Sequence, residues 1–214
     1  MNYYVDFDNT LYETSSLTPR MVEAIINSIN INNKEEIEEI VGSFNTTNST
    51  NKNIYSFAVE IANRYKVNPQ EVVQNVKKCI ANSQNLTYDD GKRFLKRIKN
   101  KGHRLIMLTY IPDKSNEEYQ MDKINASGIK EYFDEIIITS DYKFTLDLDY
   151  KNGVFVDDNP RDLKGLHEKA PIRLIRIKKE KNKYSKMDVD IKGMEEYESF
   201  DYIKIPENRE QEVR

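Results

Sequence analysis

The sequence predicts an α/β fold in which a parallel sheet of at least five strands carries helices on both faces. Five short apolar runs lack polar alternation, which is typical of strands buried on both faces. Helical patterns alternate with these runs over residues 86–178, as in consecutive βαβ units. A second domain is indicated by residues 17–83, which show helical patterns and no strand-like run.

The predicted strands are apolar runs bounded by polar or glycine-containing segments. They lie at residues 3–5, 104–108, 135–138, 153–156 and 172–177. Because helices separate most of them, the strands should pair in parallel and form a Rossmann-like sheet. A further short run at 202–205 is compatible with a last strand or with a loose tail.

Capping residues mark the helices between the strands. Asn159 and Asp162 supply an N-cap and a first-turn acid on either side of a proline at the first helical position. Ser115 and Glu118 form a capping-box pattern before another helix. A third helix is predicted over residues 92–99, where apolar side chains share one face. These helices would connect and cover the strands.

The inserted stretch has its own helix signals. Asn33 with Glu36 and Asn68 with Glu71 form capping patterns, and a further helix is expected over 54–65. A Ser/Thr/Asn tract at 45–53 predicts a flexible loop. The predicted domains are a core made of residues 1–14 and 86–214 and an all-α insertion made of residues 15–85.

Composition excludes several classes of protein. The 214 residues include 33 basic and 36 acidic ones, so the formal net charge of −3 offers no electrostatic case for a nucleic-acid partner. No apolar run approaches the ~20 residues of a membrane span, and the first residues lack the pattern of a signal peptide. The single cysteine, Cys79, suits a reducing compartment. We therefore expect a cytoplasmic protein with neither a membrane nor a stable nucleic-acid partner.

Two aspartates directly follow the first predicted strand. The period of a strand directs Asp6 and Asp8 to the same side as the chain leaves the sheet. Ligands of open α/β sheets bind at this edge, at the carboxyl ends of the strands. Two carboxylates there repel each other unless a cation lies between them, and Mg²⁺ is the usual cation with phosphate substrates. The pair predicts a Mg²⁺ site; the alternative is two turn-capping aspartates.

Phosphate-binding candidates follow the second and third strands. Thr109 and Tyr110 come after the second strand, where a hydroxyl and backbone amides can hold a phosphate oxygen. Lys143 lies after the third strand and could neutralise a phosphate, with Lys151 as the competing candidate. Each of these residues also has an ordinary role as a turn or surface residue.

An acidic cluster follows the fourth strand. Adjacent acids after a buried strand are costly unless they bind a cation or hydrogen-bond donors. Asp158 is the better direct metal ligand, and Asp157 shares or supports the site. Asp162 also fits the third position of the next helix. Because the carboxyl ends of parallel strands meet at one edge, all these residues should lie close together.

This order of motifs resembles the haloacid dehalogenase-like (HAD) hydrolase superfamily. The motif D-x-D-x-T is matched by Asp6, Asp8 and Thr10. The second motif is matched by Thr109 and the third by Lys143, and the acidic cluster matches the fourth. The resemblance extends through the fifth predicted strand, and the helical insertion resembles the C1 cap of that superfamily.

The resemblance implies a Mg²⁺-dependent phosphatase that hydrolyses a small phosphorylated metabolite through an aspartyl-phosphate. It makes Asp6 the nucleophile and Asp8 the general acid and base. The metal ligands would be Asp6, the carbonyl of Asp8, and Asp158 with help from Asp157. Phosphate would be held by Thr10, Thr109, Tyr110 and Lys143, and Asp162 would support the site.

Alternatives to a phosphatase stay open at this level. One is a phosphomutase or other phosphotransferase of the same superfamily, and another is a non-catalytic protein that binds a phospho-ligand or a metal. A signalling receiver domain also uses acids, threonine and lysine around Mg²⁺, but the Asp6/Asp8 spacing and the insertion argue against it. Halide displacement is disfavoured, because the dehalogenases of the superfamily lack an acid at the position of Asp8.

Overall fold

A computed structural model describes residues 1–30, 33–44 and 53–207. The chain divides into two compact units. The α/β unit consists of Met1–Glu13, Thr87–Tyr110 and Ile129–Arg214, and the helical unit consists of Thr14–Leu86 and Ile111–Gly128. The loop predicted at 45–53 lies outside the described residues except for Asn53. Within the described ranges, no helix combines the length and the apolar composition needed to cross a membrane.

One sheet forms the centre of the α/β unit. The described strands are β1 (Asn2–Val5), β2 (Arg104–Tyr110), β3 (Glu135–Thr139), β4 (Val154–Asp157), β5 (Arg173–Ile177) and β6 (Glu195–Tyr197). They pair in parallel in the order β3-β2-β1-β4-β5-β6. The predicted α/β class with a Rossmann-like parallel sheet is therefore confirmed. The first strand lies inside the sheet between β2 and β4, so the residues that follow it are central.

The last strand of the described residues is β6, and residues 202–205 do not form the strand that was one of their two predicted alternatives. Residues Phe200–Tyr202 form a 3-10 turn instead. The turn is anchored because Asp90 Oδ2 accepts hydrogen bonds from Ser199 Oγ at 2.9 Å and from the Phe200 backbone nitrogen at 3.0 Å. The Phe200 side chain is fully buried, so the tail is not loose here either.

The described helices are α1 (Leu17–Ile29), α2 (Lys34–Phe44), α3 (Phe57–Tyr65), α4 (Pro69–Ala81), α5 (Asp89–Asn100), α6 (Glu117–Ala126) and α7 (Pro160–Lys169). Two predicted N-caps are confirmed by side-chain acceptors. Asn159 accepts from the Arg161 nitrogen at 3.1 Å, and Asn68 accepts from the Gln70 nitrogen at 2.9 Å. Such caps satisfy backbone donors that a helix start leaves unpaired.

The predicted capping box of Ser115 and Glu118 is wrong. A 3-10 turn, Lys114–Asn116, precedes α6, and its cap is Asp113, which accepts from the Ser115 nitrogen at 2.8 Å. In a capping box the Glu118 side chain would accept from the Ser115 nitrogen, but Asp113 accepts from that nitrogen instead. The pattern therefore placed the start of the helix too early. Helix α6 belongs to the helical unit.

Helices cover both faces of the sheet, as the apolar strands predict. On one face, Tyr4, Ile106 and Phe155 belong to a buried cluster with Leu163 and Leu166 of α7. On the other face, the Tyr3 ring meets the Phe94 ring of α5 edge-to-face, with 6.3 Å between centroids. Alternate residues of β1 therefore pack into opposite layers, which is the burial that continuous apolar strands require.

Two helical glycines, Gly165 of α7 and Gly42 of α2, make a matched test of this packing. A Cβ on Gly165 of α7 would overlap the Phe144 ring and lie 2.9 Å from the Phe144 Cβ, whereas a Cβ on Gly42 of α2 would meet no atom of the described residues within 4 Å. We expect Gly165→Ala to lower the free energy of unfolding by about 1–3 kcal/mol through overpacking. Gly42→Ala should raise it by about 1 kcal/mol through helix propensity.

Urea unfolding followed by far-UV circular dichroism checks both values. Equal, stabilising shifts for the two variants would contradict the close approach of α7 to Phe144.

Candidate active site

The carboxyl ends of β1 and β4 bring two aspartates to the same level of the sheet. Val5 pairs with Val156, and the Asp6 nitrogen donates to the Val156 carbonyl at 2.9 Å. Asp6 and Asp157 are consequently side by side and both buried. Carboxylate oxygens of Asp6, Asp157 and Asp158 lie within 4.8 Å of one another. Three acids predicted from the ends of two strands therefore form one cluster.

A buried lysine joins this cluster. Lys143 Nζ lies 2.5 Å from Asp6 Oδ1 and 2.7 Å from Asp157 Oδ2, and its side chain is 2% exposed. Lys143 begins a 3-10 turn, Lys143–Thr145, in the connection from β3 to β4. The competing candidate, Lys151, is exposed. The structure thus brings Lys143, and not Lys151, to the aspartates.

Two buried partners hold the backbone of Lys143. Asp162 Oδ1 accepts from the Lys143 nitrogen at 3.1 Å, and the Tyr150 hydroxyl donates to the Lys143 carbonyl at 2.6 Å. Asp162 Oδ2 also accepts from Asn159 Nδ2 at 2.9 Å. The acid in the first turn of α7 therefore ties the lysine turn to the helix that follows β4.

Burial shifts the protonation equilibria of the cluster. Desolvation raises the pKa of Asp6 to about 7, against the lowering effect of the Lys143 charge. Desolvation also raises the pKa of Asp157 and that of Asp158. Burial alone would lower the pKa of Lys143, but the charges of Asp157 and Asp6 raise it above its usual value. Lys143 therefore stays charged. Its single positive charge is shared among three buried acids, Asp6, Asp157 and Asp158.

The loop after β1 turns back sharply at Asn9, which has a φ of +57°. Asparagine tolerates this left-handed conformation better than most residues. The turn brings the fully buried Thr10 to the acidic cluster, where Thr10 Oγ1 donates to Asp158 Oδ1 at 3.3 Å. Thr10 was predicted to bind phosphate, but its hydroxyl donates to the Asp158 carboxylate instead. Asp8 is partly buried and lies near enough to raise the pKa of Asp6 by its charge.

The residues predicted to follow the second strand lie within it. Thr109 and Tyr110 are the last two residues of β2, because the ladder with β3 continues to the pair Tyr110 and Thr139. Thr109 is fully buried. The Tyr110 ring is nearly parallel to that of Tyr142, with 6.3 Å between centroids. Tyr110 thus lies against the residue that precedes Lys143.

One contact of the cluster escaped the sequence analysis. Asn182, in the segment after β5, is buried and donates from Nδ2 to Asp158 Oδ2. The rule that polar residues at strand ends gather at one edge applies to β5 as well. Extending that rule to the segment after β5 would have included Asn182 among the candidates.

The cluster has the chemistry of a divalent-cation site. Asp6, Asp157 and Asp158 offer oxygen ligands, which Mg²⁺ prefers. When ionised, these acids carry more negative charge than Lys143 alone can offset, so a bound cation would stabilise them. The donor set therefore fits Mg²⁺.

The sequence matches the haloacid dehalogenase-like hydrolases over residues 4–168. The chain belongs to this family of hydrolases. The matched range includes every residue that we predicted for the site and ends within α7. Asn182 lies beyond it. A comparison with curated proteins found no significant relative.

Solved structures share the fold at low sequence identity. A haloacid dehalogenase-like hydrolase from Burkholderia xenovorans is 13% identical, with a TM-score of 0.69 and coverage of 93% of this chain and 92% of that chain. The HAD-hydrolase YfnB from Bacillus subtilis, solved with magnesium, is 10% identical, with a TM-score of 0.57 and coverage of 94% and 95%. A mutant of CbbY from Rhodobacter sphaeroides, solved with xylulose-(1,5)bisphosphate, is 12% identical, with a TM-score of 0.53 and coverage of 93% and 94%.

The Lys143 charge should be essential for stability when no metal is bound. We expect Lys143→Met to lower the free energy of unfolding by about 3–5 kcal/mol at neutral pH, because two buried carboxylates lose their counter-charge. Exposed Lys151→Met should change it by less than about 0.5 kcal/mol. Urea unfolding in EDTA measures both.

The pH dependence of this loss has a defined sign. When an acid has a higher pKa in the folded protein than in the unfolded chain, the free energy of unfolding falls as the pH rises toward the higher pKa. Removal of the Lys143 charge should raise the pKa of Asp6 further, because that charge lowers it. The destabilisation by Lys143→Met should therefore increase from pH 5 to pH 8. A pH-independent loss, or none, would contradict the assigned ion cluster.

Proposed function

We propose that this HAD-like hydrolase is a Mg²⁺-dependent phosphatase of small phosphomonoesters that works through an aspartyl-phosphate. The observation that carries the proposal is the surroundings of Asp6. Its buried carboxylate contacts Lys143 and lies within 4.8 Å of two further acids that can share a cation. A cation and a lysine at one carboxylate favour attack on an anionic group such as a phosphate ester, because both can offset its charge.

The presence of Asp8 favours hydrolysis over halide displacement. In the proposed first step, an Asp6 oxygen forms a bond to phosphorus while the bond to the leaving oxygen breaks and Asp8 donates a proton to that oxygen. In the second step, Asp8 takes a proton from water, the water oxygen bonds to phosphorus, and the Asp6–phosphorus bond breaks. Phosphate is released and both aspartates return to their first state.

The remaining residues bind and orient. When bound, Mg²⁺ would offset charge on the carboxylates and on the phosphoryl oxygens. Asp6, Asp157 and Asp158 would hold it with the carbonyl of Asp8. Lys143 would bind a phosphoryl oxygen while keeping Asp6 ionised. Thr109 and Tyr110, at the end of β2, would contribute phosphate contacts, and Thr10 would orient Asp158.

We also propose that the helical unit is the cap of this enzyme and selects its substrate. Lids of this kind exclude water from the reaction and contact the leaving group. Its helices have their own buried positions, such as Val22 of α1 and Val76 of α4, so the unit can act as a body of its own. The proposed substrate is a small phosphorylated metabolite, and the proposed compartment is the cytoplasm.

Dependence on a divalent cation is the first test. The purified protein should hydrolyse a generic aryl phosphate in the presence of Mg²⁺, lose that activity in EDTA, and regain it when Mg²⁺ is added in excess. Release of inorganic phosphate is measured. A protein that binds Mg²⁺ without turnover of any phosphoester would be a binding protein, and activity in EDTA would exclude the metal mechanism.

Substitutions of the two aspartates after β1 should block different steps of the proposed reaction. We expect Asp6→Asn to abolish turnover, because an amide is no nucleophile toward phosphorus. Asp8→Asn should slow it by about 10²–10⁴-fold through loss of proton transfer. Exposed Asp147→Asn serves as the control and should retain full activity. Mass spectrometry of acid-quenched protein should show a phosphoryl group on the wild type or Asp8→Asn and none on Asp6→Asn.

A further inference from the structure

The connection between β5 and β6 places one amide side chain against the acidic cluster. Asn182 is 4% exposed, and its Nδ2 donates to Asp158 Oδ2. The other carboxylate oxygen of Asp158 accepts from Thr10 Oγ1 at 3.3 Å. Each oxygen of Asp158 therefore has one protein donor and keeps a further lone pair for a cation.

The orientation of the Asn182 amide is fixed by a turn. Its Oδ1 accepts from the Tyr184 nitrogen at 2.8 Å, which leaves the donating Nδ2 directed to Asp158. The backbone of Asn182 is held on both sides, since its nitrogen donates to the Lys179 carbonyl at 2.9 Å and its carbonyl accepts from the Ser185 nitrogen at 3.0 Å. This amide has little freedom to rotate away.

A buried arginine and an ion pair anchor the turn to the sheet and to α5. Arg176 of β5 is fully buried; its Nη2 donates to the Tyr184 carbonyl at 2.6 Å, and its Nη1 lies 2.7 Å from Glu196 Oε1. Lys179 Nζ lies 2.6 Å from Asp90 Oδ2. These anchors lie on both sides of Asn182 in the sequence, so the turn is held by contacts other than the one with Asp158.

We propose that Asn182 is a positioning residue for Asp158 and thereby sets the affinity of the site for its divalent cation. The inference rests on the proposed function, because Asp158 is a metal ligand only there. Outer-shell partners of this kind orient the ligating carboxylate, and their loss typically weakens metal binding by about 10- to 100-fold. A segment outside the matched family range thus completes the metal site.

Two substitutions separate the contact with Asp158 from the turn itself. Asn182→Ser keeps an oxygen that can accept from the Tyr184 nitrogen, as serine turns do, but its side chain is too short to reach Asp158. Asn182→Ala removes both interactions. The control is Ser185→Ala, which removes a 3.2 Å bond from Ser185 Oγ to the Glu180 carbonyl in the same turn without touching the cluster.

The readout is binding of Mn²⁺, followed by the electron paramagnetic resonance signal of the free ion. We expect Asn182→Ser and Asn182→Ala to bind Mn²⁺ at least about 10-fold more weakly than the wild type, with Ser185→Ala unchanged. Thermal unfolding in EDTA establishes that each variant is folded. With saturating Mg²⁺, kcat of Asn182→Ser should return close to the wild-type value.

Other results would overturn the inference in distinguishable ways. Equal Mn²⁺ affinity of all four proteins would exclude the positioning role and leave the phosphatase proposal intact. Weakened binding in Asn182→Ala alone, or equally in Ser185→Ala, would assign the effect to the turn. Failure of the wild type to bind Mn²⁺ would overturn the metal site and the inference together.

Discussion

Burial of several carboxylates around a single ammonium group is the constraint on which the α/β unit depends. Asp6, Asp157 and Asp158 are removed from water, and only Lys143 balances them directly among the residues that the structure describes. The surrounding structure offsets the cost of burying these charges. Asp162 fixes the turn that carries the lysine, and donors from separate segments meet the remaining carboxylate oxygens. A folded scaffold that maintains unfavourable charge in this way favours the binding of a cation, as the proposed function requires.

The sequence was informative where a local pattern determines the structure. Apolar runs identified the strands around β1, and the rule for strand ends gathered Asp6, Asp157 and Asp158 into one place. Local patterns did not separate Lys143 from Lys151, because both follow β3; the family resemblance favoured Lys143, and the tertiary contacts place Lys143 at the aspartates. The anchoring of the tail by Asp90 was not predicted for the same reason, and the strand-end rule, had it been extended to β5, would have named Asn182 as a candidate but not its contact with Asp158. Each joins residues far apart in the chain.

Fold and chemistry carry different information about this protein. The family match establishes a haloacid dehalogenase-like hydrolase, and solved structures at 10–13% identity share only the architecture. The reaction depends on particular atoms of the site, because one fold can support different reactions. In this chain the proposed phosphatase chemistry depends on Asp6 and Asp8, two acids separated by one residue after β1. Substrate selection is a separate question that concerns the helical unit, whose sequence has no comparable motif.

The central place of β1 has a consequence for how the polypeptide assembles during synthesis. This strand leaves the ribosome well before its partners, which begin at Arg104 and Val154, after the whole first segment of the helical unit has been made. Such distant pairing is slow, because a long loop must close before any contact forms. The apolar residues of β1 are therefore without their partner strands on the nascent chain until β2 and β4 have been made. The sheet around β1, and with it the surroundings of Asp6, can therefore form only after β2 and β4 have been made.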